Sequence, residues 1–161
     1  MDRHEVQIRY NSYSQAASLS PEDQVLIAHA IRASQMAYAP YSSFRVGAAI
    51  RSMDQEIVIG SNQENSAFPI GQCAERVALY RFTHELGRKA IDTIAIAVDH
   101  EQQKSPASPC GSCRQILAEY RTYQSTPIRL LLTLVQGGEV IEIEDAPDLL
   151  PLAFDGKFLG K

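Results

Sequence analysis

The spacing of apolar and polar residues predicts helices alternating with strands. Residues 44–50, FRVGAAI, place every second residue on one face, as in a strand, whereas apolar residues from Leu26 to Ala37 recur at helical spacing. Residues 127–135 are almost continuously apolar, which favours a central strand. The predicted order is a helix from Pro21 to about Tyr38, strands at 44–50 and 57–62, a helix at 73–86, a strand at 91–98, a helix from about Cys110, strands at 127–135 and 139–144, and a short helix at 147–154.

Capping and turn residues set several of these boundaries. Ser20 is a favourable N-cap, Pro21 suits the first helical position, and Gly87 suits the end of the second helix. Gly137-Gly138 separates the last two strands, and so short a connection predicts an antiparallel pair. The fold class is therefore α/β, with a five-stranded mixed sheet covered by helices and with strands four and five antiparallel.

Residues 1–19 are polar and weakly patterned, so we expect an N-terminal arm followed by one domain at 20–161. The N-terminus lacks the apolar core of a signal peptide, and no stretch approaches the roughly 20 apolar residues of a membrane span. A cytoplasmic protein without a membrane partner is expected. Its three cysteines would then stay reduced and serve as ligands, nucleophiles or core residues.

Charge narrows the class of ligand. The chain has 15 basic and 19 acidic residues, a net charge of −4, and no basic run. Neutralising a nucleic acid backbone needs clustered Lys and Arg, so this composition argues against a nucleic acid partner. A small or neutral ligand is the better prediction.

The three cysteines form a pattern with Glu75. Cys110 and Cys113 stand at a predicted helix start, where one turn brings both sulfurs to one side. Alone, this CxxC fits a redox motif or a structural zinc site equally well. Cys73 opens another helix, and if the two starts abut, three thiolates converge and leave a fourth zinc position open. Glu75 is then spaced to reach whatever binds at that position.

Alternative interpretations remain open from the residues alone. A histidine could close the site as a fourth ligand, although none has a typical ligand spacing from a cysteine; the candidates are His4, His29, His84 and His100. Taken separately, Cys73 is typical of a buried small residue and Glu75 of a favourable first-turn acid. A structural-zinc or redox-active CxxC binding protein is the alternative of a different class.

The joint pattern matches the zinc deaminases, in which a glutamate that is not a ligand precedes a PCxxC segment. The chain resembles the cytidine deaminase family, in its homotetrameric pyrimidine nucleoside type. The segments that carry the resemblance are YSSFRVGAA (41–49), NQEN (62–65), CAER (73–76), PCGSCRQ (109–115) and LLPLAF (149–154). They follow the family order over most of the chain, and they imply its three-layer fold with an antiparallel last pair of strands.

The resemblance implies a role for each matched residue. One Zn²⁺ per chain would be held by Cys73, Cys110 and Cys113, with Glu75 as the proton shuttle. Nucleoside binding would fall to Phe44 against the pyrimidine, Asn62 and Glu64 on the ribose 3′-hydroxyl, the Ala74 backbone on the base, and Phe154 reaching the site of a neighbouring subunit. A homotetramer with shared active sites follows.

Two arginines are candidates for tuning the metal. Three thiolates overcompensate the charge of Zn²⁺, and a cation beside a sulfur withdraws part of that excess. Arg76 directly follows Glu75 and is predicted to donate a hydrogen bond to a cysteine sulfur. Arg114 is a weaker candidate for the same role, and either residue would otherwise be an ordinary helix surface residue.

The activity implied is hydrolytic deamination of cytidine and 2′-deoxycytidine to uridine and 2′-deoxyuridine, with release of ammonia, in pyrimidine salvage. Another nucleoside, a nucleoside antibiotic or a base in RNA is the alternative substrate. The chain departs from the family pattern at Phe68, where the family commonly has a tyrosine. Phe68 has no hydroxyl, so any contact that the tyrosine hydroxyl makes across subunits, near the 5′ end of the ribose, is not expected in this chain.

Overall fold

The computed structural model describes residues 1–160, which form one mixed sheet with helices on both faces. The order of strands across the sheet is β1-β6-β5-β4-β2-β3. The strands are β1 (Asn11–Tyr13), β2 (Arg45–Ser52), β3 (Ile57–Ser61), β4 (Ile91–Asp99), β5 (Arg129–Leu134) and β6 (Val140–Ile143), and the helices are α1 (Pro21–Ser34), α2 (Ala74–Leu86) and α3 (Gly111–Arg121).

The predicted count of five strands is wrong, because β1 adds a sixth at one edge of the sheet. Its three residues lie in the segment predicted as a polar arm and have no apolar alternation. They are held instead by side chains, since Asn11 Nδ2 and Tyr13 Oη both donate to Glu142 of β6, over 3.2 and 2.7 Å. This contact is long-range, so the local pattern did not reveal it.

Strand directions are mixed. β4 and β5 pair in parallel, whereas the other neighbouring strands pair antiparallel. The two strands predicted at 127–135 and 139–144, numbered four and five in the five-strand prediction, are β5 and β6 here, and they are antiparallel as expected. Gly137 and Gly138 between them both have positive φ, of 82° and 97°, which glycine adopts at little cost.

The sheet lies between two layers of helix. Alternate residues of the central strands point to opposite faces, so Ala95 and Ala97 pack with α1, whereas Ile94 and Ile96 pack with α2 and α3. On the second face, α2 lies close to β3, because a Cβ built on Gly60 would come within 2.4 Å of the Ala78 backbone nitrogen. This close approach fixes the position of α2, whose N-terminus carries candidate site residues.

The capping predictions are confirmed at the start of α1 and at the end of α2. Ser20 Oγ accepts a hydrogen bond from the Asp23 backbone N–H and begins α1 at Pro21, and α2 ends before Gly87 at φ 70°. The predicted helix at 147–154 is wrong, because only a 3-10 turn at Ala146–Leu149 forms. Pro151 disfavours a helical conformation in the residue before it, which ends the turn.

A buried ion network ties α1 to the sheet. Asp23 accepts from Arg51 Nη2 and Arg129 Nη2, each over 2.9 Å, and Arg129 Nε donates to Glu142 over 2.8 Å. Burial opposes ionisation of Asp23, but the hydrogen bonds from Arg129 and Arg51 outweigh it and hold the pKa of this carboxyl below its usual value. The network therefore stabilises the charged form of Asp23.

Replacing Asp23 with alanine is expected to lower the free energy of unfolding by about 3 kcal/mol at pH 7, because it removes the buried carboxylate that Arg51 and Arg129 share. Since the pKa of Asp23 is depressed on folding, its contribution is present above about pH 4 and is lost as the pH falls through the folded-state pKa. Urea unfolding at pH 7 and in acid checks both statements. Glu22→Ala, an exposed neighbour in the same turn, is the control; equal effects of the two variants would contradict the expectation.

Among residues 1–160, no helix combines the length and apolar character of a bilayer span.

Candidate active site

A cluster of three sulfurs lies where the N-termini of α2 and α3 meet. Cys73 and Cys110 are the N-cap residues of these helices, with extended backbone, and Cys113 lies in the first turn of α3. Cys110 Sγ is 3.7 Å from Cys73 Sγ and 3.5 Å from Cys113 Sγ. All three sulfurs lie within 4.8 Å of one another. The two helix starts therefore abut as the sequence predicted.

The spacing and chemistry of these sulfurs fit zinc. Tetrahedral coordination with Zn–S bonds of about 2.3 Å places two sulfurs about 3.8 Å apart, and thiolates are ligands that zinc favours. Within residues 1–160 no histidine joins the cluster, so none of the four histidines supplies a fourth ligand there. The cluster fits one Zn²⁺ per chain with one coordination position left open.

The sulfurs are close enough to control one another's ionisation. The neighbouring Cys113 thiol, together with Arg76, lowers the pKa of Cys73 to about 5. The Cys73 sulfur, and then burial, raise the pKa of Cys113 well above its usual range. Three thiolates in one place therefore need a compensating positive charge, which a divalent cation supplies.

Glu75 is a buried carboxyl beside the sulfur cluster. It lies in the first turn of α2, and only 5% of its surface is exposed. Burial, and then the charge of Cys73, raise the pKa of the Glu75 carboxyl. Its side chain lines the same cavity as Cys73 and Cys110. The arrangement places a group that can accept and donate a proton next to the sulfur cluster, in the same cavity.

The cavity that contains this cluster has a volume of about 590 Å³. Such a volume suits a ligand of the size of a nucleoside. β4 supplies apolar lining through Ile96 and Val98, and Phe68 lines the cavity with 72% of its surface exposed, its ring 5.7 Å from that of Tyr41. The predicted substrate residues Phe44, Asn62, Glu64 and Ala74 all line it.

Asn62 and Glu64 are partly committed to the backbone near β2. The Asn62 amide accepts from the Val46 N–H and donates to the Phe44 carbonyl, each over 2.8 Å. Glu64 Oε2 accepts from the Tyr41 N–H over 2.9 Å. Each side chain keeps hydrogen-bonding capacity for a ligand, because an amide has a second N–H and a carboxylate has further lone pairs.

The two arginines have different surroundings. Arg76 Nη2 lies 3.8 Å from Cys73 Sγ and 3.1 Å from the Gly71 carbonyl, so the predicted contact with a sulfur is present. Arg114 instead binds the chain around the site: it donates to the carbonyls of Pro109 and Leu149, over 2.8 and 3.1 Å, and to Ser108 Oγ over 3.0 Å. The acceptors of Arg114 are all oxygen atoms, so these hydrogen bonds do not support its predicted contact with a sulfur.

Phe154 lies apart from the other predicted residues. It is not among the residues that line the cavity in the described part of the chain. Its ring is 57% exposed and stacks on Phe158 with centroids 5.5 Å apart, and its carbonyl accepts from Gln115.

Sequence reasoning did not predict that Ser42 and His100 contact the predicted substrate residues. His100 follows β4, and its ring packs 5.3 Å from that of Phe44. Ser42 lines the cavity and donates to Glu64. Ser42 lies inside the matched segment at 41–49, which could have pointed to it, whereas His100 was considered only as a possible fourth metal ligand.

Comparison with known proteins identifies the family. The sequence model of the cytidine and deoxycytidylate deaminase zinc-binding region matches residues 20–126. The chain belongs to this family. It is 40% identical to a cytidine deaminase of Halalkalibacterium halodurans over 131 residues, which is 81% of this chain and 92% of the relative. It is 41% identical to a cytidine deaminase of Sporosarcina psychrophila over 129 residues, 80% of this chain and 88% of the relative.

Solved structures of this deaminase family share the fold. The crystal structure of a cytidine deaminase from Burkholderia pseudomallei superposes with a TM-score of 0.71 at 37% identity, covering 81% of this chain and 97% of that one. A cytidine deaminase from Mycobacterium tuberculosis gives a TM-score of 0.62 at 28% identity, with 81% and 94% covered. The three-layer α/β architecture is therefore that of the family.

Proposed function

We propose that this enzyme hydrolyses cytidine and 2′-deoxycytidine to uridine and 2′-deoxyuridine with release of ammonia, and that the cysteine cluster and Glu75 carry the reaction. The observation that supports the proposal best is the shared cavity: the buried Glu75 carboxyl and two sulfurs of a cluster fit for zinc open into one space of about 590 Å³. The cytidine deaminases to which the chain is 40% and 41% identical support the substrate.

Zinc would be held by Cys73, Cys110 and Cys113, and when bound it supplies the Lewis acidity that makes an attacking water acidic near neutral pH. Glu75 takes the proton from this water and passes a proton to N3 of the pyrimidine, which makes C4 electrophilic. The water oxygen bonds to C4 as a hydroxyl, and Glu75 takes the remaining proton from this hydroxyl and delivers it to the amino nitrogen. The bond from C4 to this nitrogen then breaks as the C4 carbonyl forms, and ammonia leaves.

The rest of the cavity would position the nucleoside. The Phe44 ring packs against the pyrimidine, and the Ala74 backbone contacts the base. Asn62 and Glu64 bind the ribose 3′-hydroxyl, which is both a donor and an acceptor. A free nucleoside is favoured over RNA, because a 3′-hydroxyl held by a carboxylate leaves no room for a phosphodiester.

The same proposal includes a homotetramer in which Phe154 completes the site of a neighbouring subunit, a single domain at 20–161, and a role in cytoplasmic pyrimidine salvage. Exposed apolar side chains near the C-terminus support an interface, since Leu152 is 97% and Phe158 72% exposed. Sedimentation equilibrium tests the assembly against four times the chain mass of 17.8 kDa.

Incubating the purified enzyme with cytidine tests the reaction. We expect the ultraviolet band of cytidine to disappear as uridine forms, with one ammonia released for each uridine. The same assay with 2′-deoxycytidine tests the second substrate. A sample that holds one zinc per chain and converts neither nucleoside would contradict the proposed substrates.

A further inference from the structure

The loop before β2 is folded around the carboxylate of Glu64. The backbone N–H groups of Tyr41 and Ser42 both donate to Glu64 Oε2, over 2.9 and 3.4 Å. Between Ser42 and Phe44 the chain turns through Ser43, whose φ of 56° lies in the left-handed region that non-glycine residues seldom adopt. Successive N–H groups in such a turn form a concave site for an anion. Glu64 is therefore the internal anion that this loop binds.

The hydroxyl of Ser42 completes the loop and is oriented at both ends. It accepts a hydrogen bond from the Phe44 N–H over 3.0 Å and donates its own hydrogen to Glu64 Oε1. Because the acceptor side is used by a rigid backbone N–H, the hydroxyl hydrogen points toward the carboxylate. This hydrogen bond, followed by that from the Tyr41 N–H, lowers the pKa of Glu64.

The segment that carries Glu64 links this loop to the metal site. The Glu64 N–H donates to the Tyr38 carbonyl over 2.8 Å, and Gln63 exchanges two backbone hydrogen bonds with Gln72, over 2.9 and 2.8 Å. Gln72 directly precedes Cys73. The Glu64 backbone is therefore fixed relative to the sulfur cluster, and the remaining freedom is the rotation of its side chain. Three donors from one loop remove that freedom.

We propose that Ser42 is a positioning residue for nucleoside binding, whose hydroxyl locks the Glu64 carboxylate in the orientation that receives a sugar hydroxyl. The proposal rests on the proposed role of Glu64 toward the ribose 3′-hydroxyl. Ser42 and the loop N–H groups occupy one side of the carboxylate, and a lone pair of Oε1 stays available for the sugar. Without the Ser42 hydroxyl, the carboxylate would have to be ordered at the moment of binding, which weakens affinity.

The test measures KM and kcat for cytidine and for 3′-deoxycytidine with Ser42→Ala. For cytidine we expect KM to rise about tenfold with kcat within about twofold, as for the loss of a hydrogen bond to a charged group. For 3′-deoxycytidine, which lacks the hydroxyl that Glu64 would bind, we expect the variant to change KM less than about twofold. Ser125→Ala is the control, because Ser125 is exposed and lies before β5. This variant should leave KM and kcat unchanged for both nucleosides.

Two further comparisons separate positioning from general loosening of the loop. Ser42→Thr keeps a hydroxyl, and Ser42→Val has the shape of threonine without the hydroxyl. The threonine variant should therefore retain the KM of the wild type, and the valine variant should have the KM of the alanine variant. In a Glu64→Gln background, Ser42→Ala should add little further increase in KM. Equal losses with both nucleosides, or equal losses for threonine and valine, would overturn the proposal.

The same data distinguish a failure of the proposed role of Glu64. If Glu64→Gln binds cytidine as well as the wild type does, the sugar role of Glu64 is wrong, and the proposal for Ser42 falls with it. If Glu64→Gln weakens the binding of cytidine but not of 3′-deoxycytidine, and Ser42→Ala has no such effect, Glu64 keeps its proposed role and only the proposal for Ser42 is refuted.

Discussion

Glu75→Gln is expected to lower kcat for cytidine about a thousandfold or more, while zinc content and thermal stability stay close to those of the wild type. Glutamine keeps the size of the side chain, which is only 5% exposed, but it cannot take a proton from water or return one to the departing amine. The measurement is kcat together with zinc per chain and the melting temperature.

Glu85→Gln is the matched control for this variant. Glu85 lies on the same helix, at its other end, and its exposed carboxylate accepts from Arg81 over 2.7 Å. An exposed pair of this kind contributes little, so activity should remain within about twofold of the wild type. A Glu75→Gln enzyme with comparable turnover would remove Glu75 from the mechanism.

Cys113→Ser is expected to abolish stoichiometric zinc binding and, with it, activity. Cys113 is fully buried, and its sulfur lies 3.5 Å from that of Cys110. Serine is a poor ligand for zinc in comparison with a thiolate, and two remaining sulfurs do not form a three-ligand site. Metal analysis after dialysis against a chelator should show almost no zinc, and added zinc should restore activity to the wild type but not to the variant.

Ser112→Ala is the control in the same helical turn, because Ser112 is exposed and lies next to Cys113. It should bind one zinc per chain and retain full activity. If Cys113→Ser kept one zinc per chain and normal turnover, the metal centre would have been assigned to the wrong residues.

The sequence predicted best the features that depend on neighbouring residues. Ser20 and Pro21 begin α1, and Gly87 ends α2, because caps and breakers act over a few residues. The edge strand β1 was not predictable in this way. Asn11 and Tyr13 hold it to Glu142, and these contacts join residues about 130 positions apart in the sequence.

The candidate site shows the same division. The cysteine cluster could be predicted because each cysteine lies at a predicted helix start. The prediction then required only that the two helix starts abut. Arg114 could not be placed from the sequence, because one of its partners is the carbonyl of Leu149 in a distant segment. The contact of Ser42 was missed because its hydrogen bond to Glu64 joins residues 22 positions apart in the sequence.

Isotopically labelled water gives the most direct test of hydrolytic deamination by this enzyme. The enzyme is incubated with cytidine in water enriched in oxygen-18, and the product is examined by mass spectrometry together with released ammonia. Hydrolytic deamination predicts one labelled oxygen at C4 of each uridine formed and one ammonia per turnover, with both products formed much more slowly by Glu75→Gln. Unlabelled uridine, or no uridine from a sample with one zinc per chain, would contradict hydrolytic deamination of cytidine by this enzyme.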